Sequence, residues 1–262
     1  MILPRPLKSQ LKLWKSLEKA KARRESGLFL AEGIKVVAGE LIKSRWEVKA
    51  FLVMEEKREH WRDLLADISK RAEVYCLKAT EWETLSQDKN PEGIMAVASV
   101  PARTDILDLP DAGHIILAYG INNPNNLGAL IRTAHWFNFA AVLLSTDSVD
   151  YTNPKVVRTS MGSLFHLTII PDADFAESIP RIKERYLLVA SSAEKGSPPH
   201  ACSQKTALLM GSESHGLPDV LMNEADERWC IPGEGGAESL SLPQAAAIMM
   251  YEASKKTNKP KN

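Results

Sequence analysis

Apolar residues recur along this chain in two rhythms, and the alternation between them predicts its elements. From Leu7 onward, Leu11, Trp14 and Leu17 return at helical spacing and predict a helix over residues 8–25. Beyond it come a strand at 29–33 (FLAEG), a helix at 34–44, a strand at 48–54 (VKAFLVM), a helix at 59–72, a strand at 73–78, a short helix at 79–87 and a strand at 93–100. That order predicts a small mixed sheet with helices packed on it. Residues 101–113 (PARTDILDLPDAG) contain proline and hold no sustained period, so they read as a linker. A boundary near residue 105 makes 1–105 one domain and 106–262 another.

The second domain opens on HIILAYG (114–120), an apolar run suited to a strand buried on both faces. The segment INNPNNLGALIRTAHWF (121–137) follows directly. Asn125 or Asn126 can cap its helix, while Leu127, Leu130, Ile131 and Ala134 face the sheet and Arg132 falls on a different face. A strand at 141–146, a helical stretch at 154–165, a strand at 167–171, a helix at 176–186 and a strand at 187–192 carry the alternation to TALLMG (206–211). The expectation is an α/β domain with a parallel sheet and helices on both sides.

Composition narrows the functional classes. Lys plus Arg and Asp plus Glu both number 33, so nucleic-acid binding would have to come from a local patch. Such a patch lies on the first helix, where Lys8, Lys12, Lys15, Lys19, Lys21, Arg23 and Arg24 crowd around the apolar stripe. They form either a solvated face or a phosphate-binding arm. Cys76, Cys202 and Cys230 are odd in number, far apart and without metal spacing, which fits reduced thiols and predicts no metal. Neither a cleavable leader nor an apolar run of membrane-spanning length is found, so the expectation is a soluble cytoplasmic protein.

Chemistry concentrates in Met210–Glu252. Two apolar runs, TALLMG and ERWCIPG, each end on glycine, and a small-residue helix starting near Leu242 follows. Strand ends that stop at Gly211, Gly216, Gly233, Gly235 and Gly236 present main-chain groups to a ligand at the carboxyl edge of a sheet, where open α/β folds bind ligands. Ordinary strand-to-helix turns would leave the same trace. No GxGxxG or GxxxxGK[ST] fingerprint occurs, which disfavours the usual dinucleotide and P-loop sites.

Five motifs, in order and spacing, resemble the SpoU (TrmH-like) family of RNA ribose 2′-O-methyltransferases in the SPOUT superfamily: NPNNLGALIRTA (Asn123–Ala134), NPKVVRTSMGSLFHL, GSESHGL, the IPG turn and the ESL segment. RRESGLFLAEGIKVV and NPEGIMAVAS, within residues 8–100, are similar to the substrate-binding domain that some members carry. The resemblance implies a small mixed α/β RNA-binding domain followed by a parallel-sheet SPOUT domain with a C-terminal trefoil knot, a homodimer formed through that domain, and S-adenosylmethionine among the knotted loops. Met210, Gly211, Glu213, Gly216, Ile231, Gly233, Leu240 and Ala245 are the implied donor contacts. Asn126, Arg132, Glu213, Ser239 and Ser241 are the implied catalytic set. Ribosomal RNA is preferred to transfer RNA because the extra domain resembles a module of rRNA-modifying members.

A ribose hydroxyl is a poor nucleophile, so most of the rate gain should come from positioning and desolvation. Arg132, protonated at any ordinary pH, suits a phosphate anchor and a partner for the forming alkoxide better than a base. Glu213 is expected to orient Arg132 or Asn126. One departure stands out: members usually read S-L-N-V-S where this chain has Ser239-Leu240-Ser241-Leu242-Pro243. Ser241 with Gln244 also fits a helix capping box. An active methyltransferase and an attenuated, methyltransferase-like RNA-binding or assembly protein are therefore both carried forward.

Overall fold

The computed structural model describes residues 2–109, 113–237 and 239–255. The end of the linker and Glu238 of the ESL segment lie outside them. Two compact units are present: residues up to Ala102 together with Asp150–His166, and Arg103–Val149 together with the chain from Leu167 on.

In the first unit, strands β1 (Leu28–Glu32), β2 (Val48–Met54), β3 (Glu73–Leu77) and β4 (Ile94–Ser99) form a sheet of order β1-β4-β2-β3. Its β2–β3 pair is parallel and the other two are antiparallel, the mixed sheet that the pattern predicts. Trp14, Leu17, Leu30, Leu52, Leu77, Trp82 and Met95 form one core cluster. Around it lie α1 (Lys8–Ser16), α2 (Ala20–Ser26), α3 (Arg62–Ile68) and α4 (Ala79–Trp82). The helix expected over 8–25 is thus two. At the break, the Leu17 and Glu18 carbonyls accept from the Arg23 guanidinium, both at 2.8 Å, instead of continuing a helix.

Residues 34–44 form a wide π-turn at Lys35–Glu40 and a 3-10 turn at Leu41–Lys43. Glu40 from that turn packs over Gly162 and pairs with His166 at 2.7 Å. The pattern assigns residues 150–166 to the second domain, yet they pack within the first unit. Buried aromatic contact explains this: Phe165 lies 5.2 Å from Trp46 and 6.5 Å from Phe29, ring centre to ring centre. The segment comprises α6 (Pro154–Thr159), capped by Asn153, and a 3-10 turn at Ser163–His166.

The second unit holds a six-stranded, wholly parallel sheet. Its strands are β5 (Ile115–Ala118), β6 (Ala141–Ser145), β7 (Thr168–Ala173), β8 (Leu187–Ser192), β9 (Thr206–Met210) and β10 (Glu227–Cys230). Their order is β10-β8-β9-β5-β6-β7. The fully buried runs of β5, β6 and β9 are what a sheet covered on both faces requires. Helices α5 (Pro124–Trp136), α7 (Phe175–Lys183), α8 (Asp219–Glu224) and α9 (Leu242–Ser254) accompany it. Asn123, rather than Asn125 or Asn126, caps α5: its side chain accepts the Asn125 N–H at 2.9 Å, and Pro124 takes the first helical position, where no N–H is needed.

Candidate active site

Three strand ends and one helix enclose a cavity of about 520 Å³ in the second unit. Small-molecule sites run from about 300 to 1,000 Å³, so one cofactor-sized ligand fits. Ser191 and Ser192 at the end of β8, Met210 and Gly211 at the end of β9, and Ile231 to Gly233 beyond β10 form the walls. Ala245 and Met249 on α9 close it. All three strands are parallel neighbours, so their carboxyl ends lie on one edge of the sheet.

The turn after β9 explains two of its glycines. A Cβ on Gly211 would run into the backbone of Gly216 and Leu217, and Gly216 has φ +63°, a conformation that side chains rarely adopt. The Gly216 N–H closes the turn on the Ser212 carbonyl at 2.9 Å. The loop after β5 is anchored as well: Gly120 N–H donates to Ser145 Oγ at 2.9 Å and Ile121 N–H to Ser148 Oγ at 3.2 Å.

Glu213 reaches from this turn to the start of α9, where its carboxylate accepts the Leu242 N–H at 3.0 Å. A carboxylate at a helix N-terminus satisfies an otherwise orphan donor and meets the positive end of the macrodipole. This is a different duty from orienting Arg132 or Asn126. Ser241 is exposed at the cap of α9; its N–H and hydroxyl both donate to Gln244 Oε1, at 3.2 and 2.9 Å. Half of the expected capping box is therefore made, and Ser241 does not line the cavity.

Of the sequence-derived residues, Met210, Gly211, Glu213, Gly216, Ile231, Gly233, Leu240 and Ala245 all line this cavity, and Ser239 joins them. Asn126 and Arg132 lie on α5, which packs along α9; Arg132 is exposed and has no ion-pair partner among the described residues. The sequence reading missed Ser191, Ser192 and Ala193. The signal was present in LLVASS, where a strand runs out into small hydroxyl residues, but only the sheet order shows that this end neighbours β9.

In the first unit, Lys8, Lys12, Lys15, Lys19 and Arg24 are exposed and available to phosphates. Arg23 must be withdrawn from that arm. It is 2% exposed and engaged through all three nitrogens: with Asp150 through Nε at 2.9 Å and Nη2 at 2.7 Å, with Thr152 at 3.1 Å, and with the two carbonyls at the helix break.

Among the described residues, the cavity lining carries no Lys, Arg or His and a single carboxylate, Glu213. A polyphosphate cofactor would find no counter-charge there. A cation flanked by apolar groups would, and Met210, Ile231, Leu240, Leu242 and Met249 supply apolar walls between backbone donors and acceptors. Among the described residues no group of three or more side chains could hold a metal ion.

Comparison with known proteins agrees with this geometry. Residues 113–251 match the SpoU rRNA Methylase family, and residues 8–96 match the MRM3-like substrate binding domain. The 23S rRNA (guanosine(2553)-2′-O)-methyltransferase RlmP of Bacillus subtilis is 30% identical over 92% of this chain and 94% of its own. The 23S rRNA (guanosine-2′-O-)-methyltransferase RlmB of Bordetella pertussis is 25% identical over 84% of this chain and 94% of its own. Among solved structures, the SpoU methyltransferase AviRb of Streptomyces viridochromogenes with the cofactor AdoMet superposes with a TM-score of 0.85, at 25% identity over 95% of this chain and 97% of that one. An AdoMet-bound rRNA methyltransferase from Sinorhizobium meliloti gives 0.80 at 25% identity, over 96% of both chains.

Proposed function

The chain belongs to the SpoU rRNA methylase family, and from that premise we propose that it transfers a methyl group from S-adenosylmethionine to a ribose 2′-hydroxyl of ribosomal RNA, in the cytoplasm. The observation that carries this reading is the convergence of nine residues implied by the family resemblance, from Met210 to Ala245, on one cofactor-sized cavity that has no basic side chain among its described residues. Bound S-adenosylmethionine supplies an electrophilic methyl carried by a sulfonium. The backbone of the 210–216 and 231–233 turns holds the donor against α9, and Glu213 fixes the start of that helix. Arg132 anchors the phosphate beside the target ribose and stabilises the forming alkoxide through its planar fork, Asn126 aligns the hydroxyl, and Ser239 borders the transferred group. The exposed lysines of α1, with Lys19 and Arg24, grip the RNA backbone.

The inference extends to the trefoil knot typical of SPOUT domains and to a homodimer. Trp136 on α5 is 83% exposed and Tyr251 on α9 is 51% exposed, a costly apolar surface for packed helices to leave in water. A dimer would cover it; sedimentation of Trp136→Glu should show a monomer where the wild type is dimeric.

Calorimetry with S-adenosylmethionine, and mapping of ribose methylation across total RNA from cells with and without the gene, test the activity. Donor binding with a single lost 2′-O-methyl site in rRNA is the expected result. Donor binding with an unchanged methylation map would instead favour the attenuated assembly protein, which the Ser241 departure keeps as the competing reading.

A further inference from the structure

The first unit contains a second, smaller cavity of about 140 Å³ that the donor site does not use. Its inner wall is apolar: Trp14 from α1, Leu30 from β1 and Leu85 from the turn after α4, all buried. Polar side chains ring its mouth, with Lys15 and Glu18 on one side and Glu83, Ser86 and Gln87 on the other. Pro154, the first residue of α6, closes the remaining side.

The walls are held from behind. Arg23 donates to the Glu18 carbonyl and to Asp150, and Asp150 Oδ1 in turn accepts the Thr152 N–H at 2.8 Å, two residues before Pro154. One buried guanidinium thus ties the end of α1 to the entry of α6. On the opposite side the Ser86 hydroxyl donates to Glu32, and the Thr84 hydroxyl donates to the Glu81 carbonyl at 2.7 Å. Trp14 is steadied edge-on by Tyr75, 5.5 Å away between ring centres. The cavity is therefore preformed and does not need a ligand to assemble it.

Its chemistry selects the ligand class. At about 140 Å³ against about 520 Å³ for the cofactor-sized cavity of the second unit, it is roughly a quarter of that volume and suits a single flat ring system better than a whole nucleotide. The rim has two carboxylates against one ammonium, so a phosphate would be repelled while a neutral group presenting N–H donors would be welcomed. Lys15 lies at the mouth, and exposed Lys12 and Lys8 precede it at helical spacing on α1, a row that suits a phosphodiester backbone. We propose that this cavity receives one unpaired RNA base, inserted against Trp14 and Leu85, with its Watson–Crick edge donating to Glu18 or Glu83. Guanine, with two adjacent donors that match one carboxylate, is the favoured occupant. Sequence-selective recognition in single-stranded RNA works by such splayed bases, whereas phosphate contacts carry no sequence information. This rests on the RNA-directed reading above and adds a specificity element that lies in the first unit.

The test uses the full-length protein and two ten-nucleotide RNAs, all-uridine and the same strand with one central guanosine, titrated across a salt series. The expected result is a preference for the guanosine strand of about fivefold, with identical salt slopes for the two RNAs. Gln87→Trp, which blocks the mouth, and Glu83→Gln combined with Glu18→Gln, which removes the acceptors, should each erase the preference and leave the slope unchanged. Equal binding of both strands with a normal salt slope would overturn the base pocket and leave the RNA reading standing. Failure of both RNAs to bind would overturn the two together. A Gln87→Trp protein that keeps the full preference would place guanosine recognition elsewhere and also refute the proposal.

Discussion

Arg23 offers the sharpest discrimination between a charge that meets RNA and a charge that holds the fold. Its guanidinium makes five hydrogen bonds, to Asp150, Thr152 and the carbonyls of Leu17 and Glu18, and the side chain is 2% exposed. Arg23→Met keeps the aliphatic stem but leaves the Asp150 carboxylate, itself 18% exposed, without its counter-charge, and strips two carbonyls of their donors. Breaking a buried pair by removing one partner costs about 3–5 kcal/mol, because the surviving charge stays desolvated. Against a typical stability of about 5–15 kcal/mol that is a large share of the total. Urea denaturation followed by tryptophan fluorescence should show this loss. Arg23→Met combined with Asp150→Leu should recover part of it, since no uncompensated charge then remains. Exposed Arg24 is the control: Arg24→Met should stay within about 0.5 kcal/mol of wild type while lowering the salt slope of RNA binding by about one. The reasoning fails if Arg23→Met costs less than about 1 kcal/mol, or if it lowers that slope as Arg24→Met does.

Three further outcomes follow from the second unit. Gly211→Ala should abolish S-adenosylmethionine binding by calorimetry, because the new Cβ displaces the Gly216 carbonyl and reshapes the cavity wall. Arg132→Ala should leave donor affinity unchanged and lower the single-turnover methylation rate by about a hundredfold, with Arg132→Lys failing to restore it; wild-type rate in Arg132→Ala would remove that residue from the mechanism. Burial lowers the pKa of His114, whose Nδ1 accepts the Thr206 N–H at 3.1 Å, so the folded ring is neutral and the unfolded state binds the extra proton. Its contribution is then complete above about pH 6.5 and declines as pH falls toward the folded value; melting temperatures at pH 7.5 and 5.5 should diverge less in His114→Gln than in wild type.

Much of the lining of the cavity proposed for the donor was readable because its chemistry is main-chain. Glycines at strand ends announce a close approach of backbone to ligand without any knowledge of tertiary structure, and Gly211, Gly216, Gly233 and Gly235 follow from that alone, whereas Met210, Ile231, Leu240 and Ala245 came from the family resemblance. Ser191 and Ser192 were not readable, since their place depends on β8 lying beside β9, a fact of sheet order rather than of local pattern. The parallel and mixed sheets could be foreseen from the rhythm of apolar runs. What escaped was long-range pairing: nothing near Arg23 in the chain distinguishes it from Arg24, and only Asp150, well over a hundred positions away, makes one structural and leaves the other free to meet solvent. The same pairing moves residues 150–166 into the first unit. Deleting residues 1–105 would therefore strip the cover from Val156, Val157, Leu164 and Phe165, so a truncated second domain is not a neutral test of RNA binding.

The Ser241 departure can be judged from what now caps α9. A serine at this position ordinarily stabilises a helix by accepting a backbone N–H within the first turn, worth about 1 kcal/mol. Here the hydroxyl donates to Gln244, Gln244 accepts the Ser241 N–H, and Glu213 accepts the Leu242 N–H. Capping is thus shared between Gln244 and a carboxylate from the turn after β9. Ser241→Ala should consequently cost less than about 1 kcal/mol and change the methylation rate little. Glu213→Ala should cost more, since it unties α9 from the turn at Gly211–Gly216 that shares the cavity wall, and should weaken donor binding as well as stability. Ser241→Asn, restoring the residue usual in the family, reports on the chemistry alone, because asparagine caps as well as serine. If it raises the single-turnover rate severalfold with donor affinity unchanged, the wild-type chain is an attenuated catalyst. If the rate stays level while Glu213→Ala loses the donor, positioning by Glu213 and α9 suffices, and the serine is a tolerated substitution at a helix end.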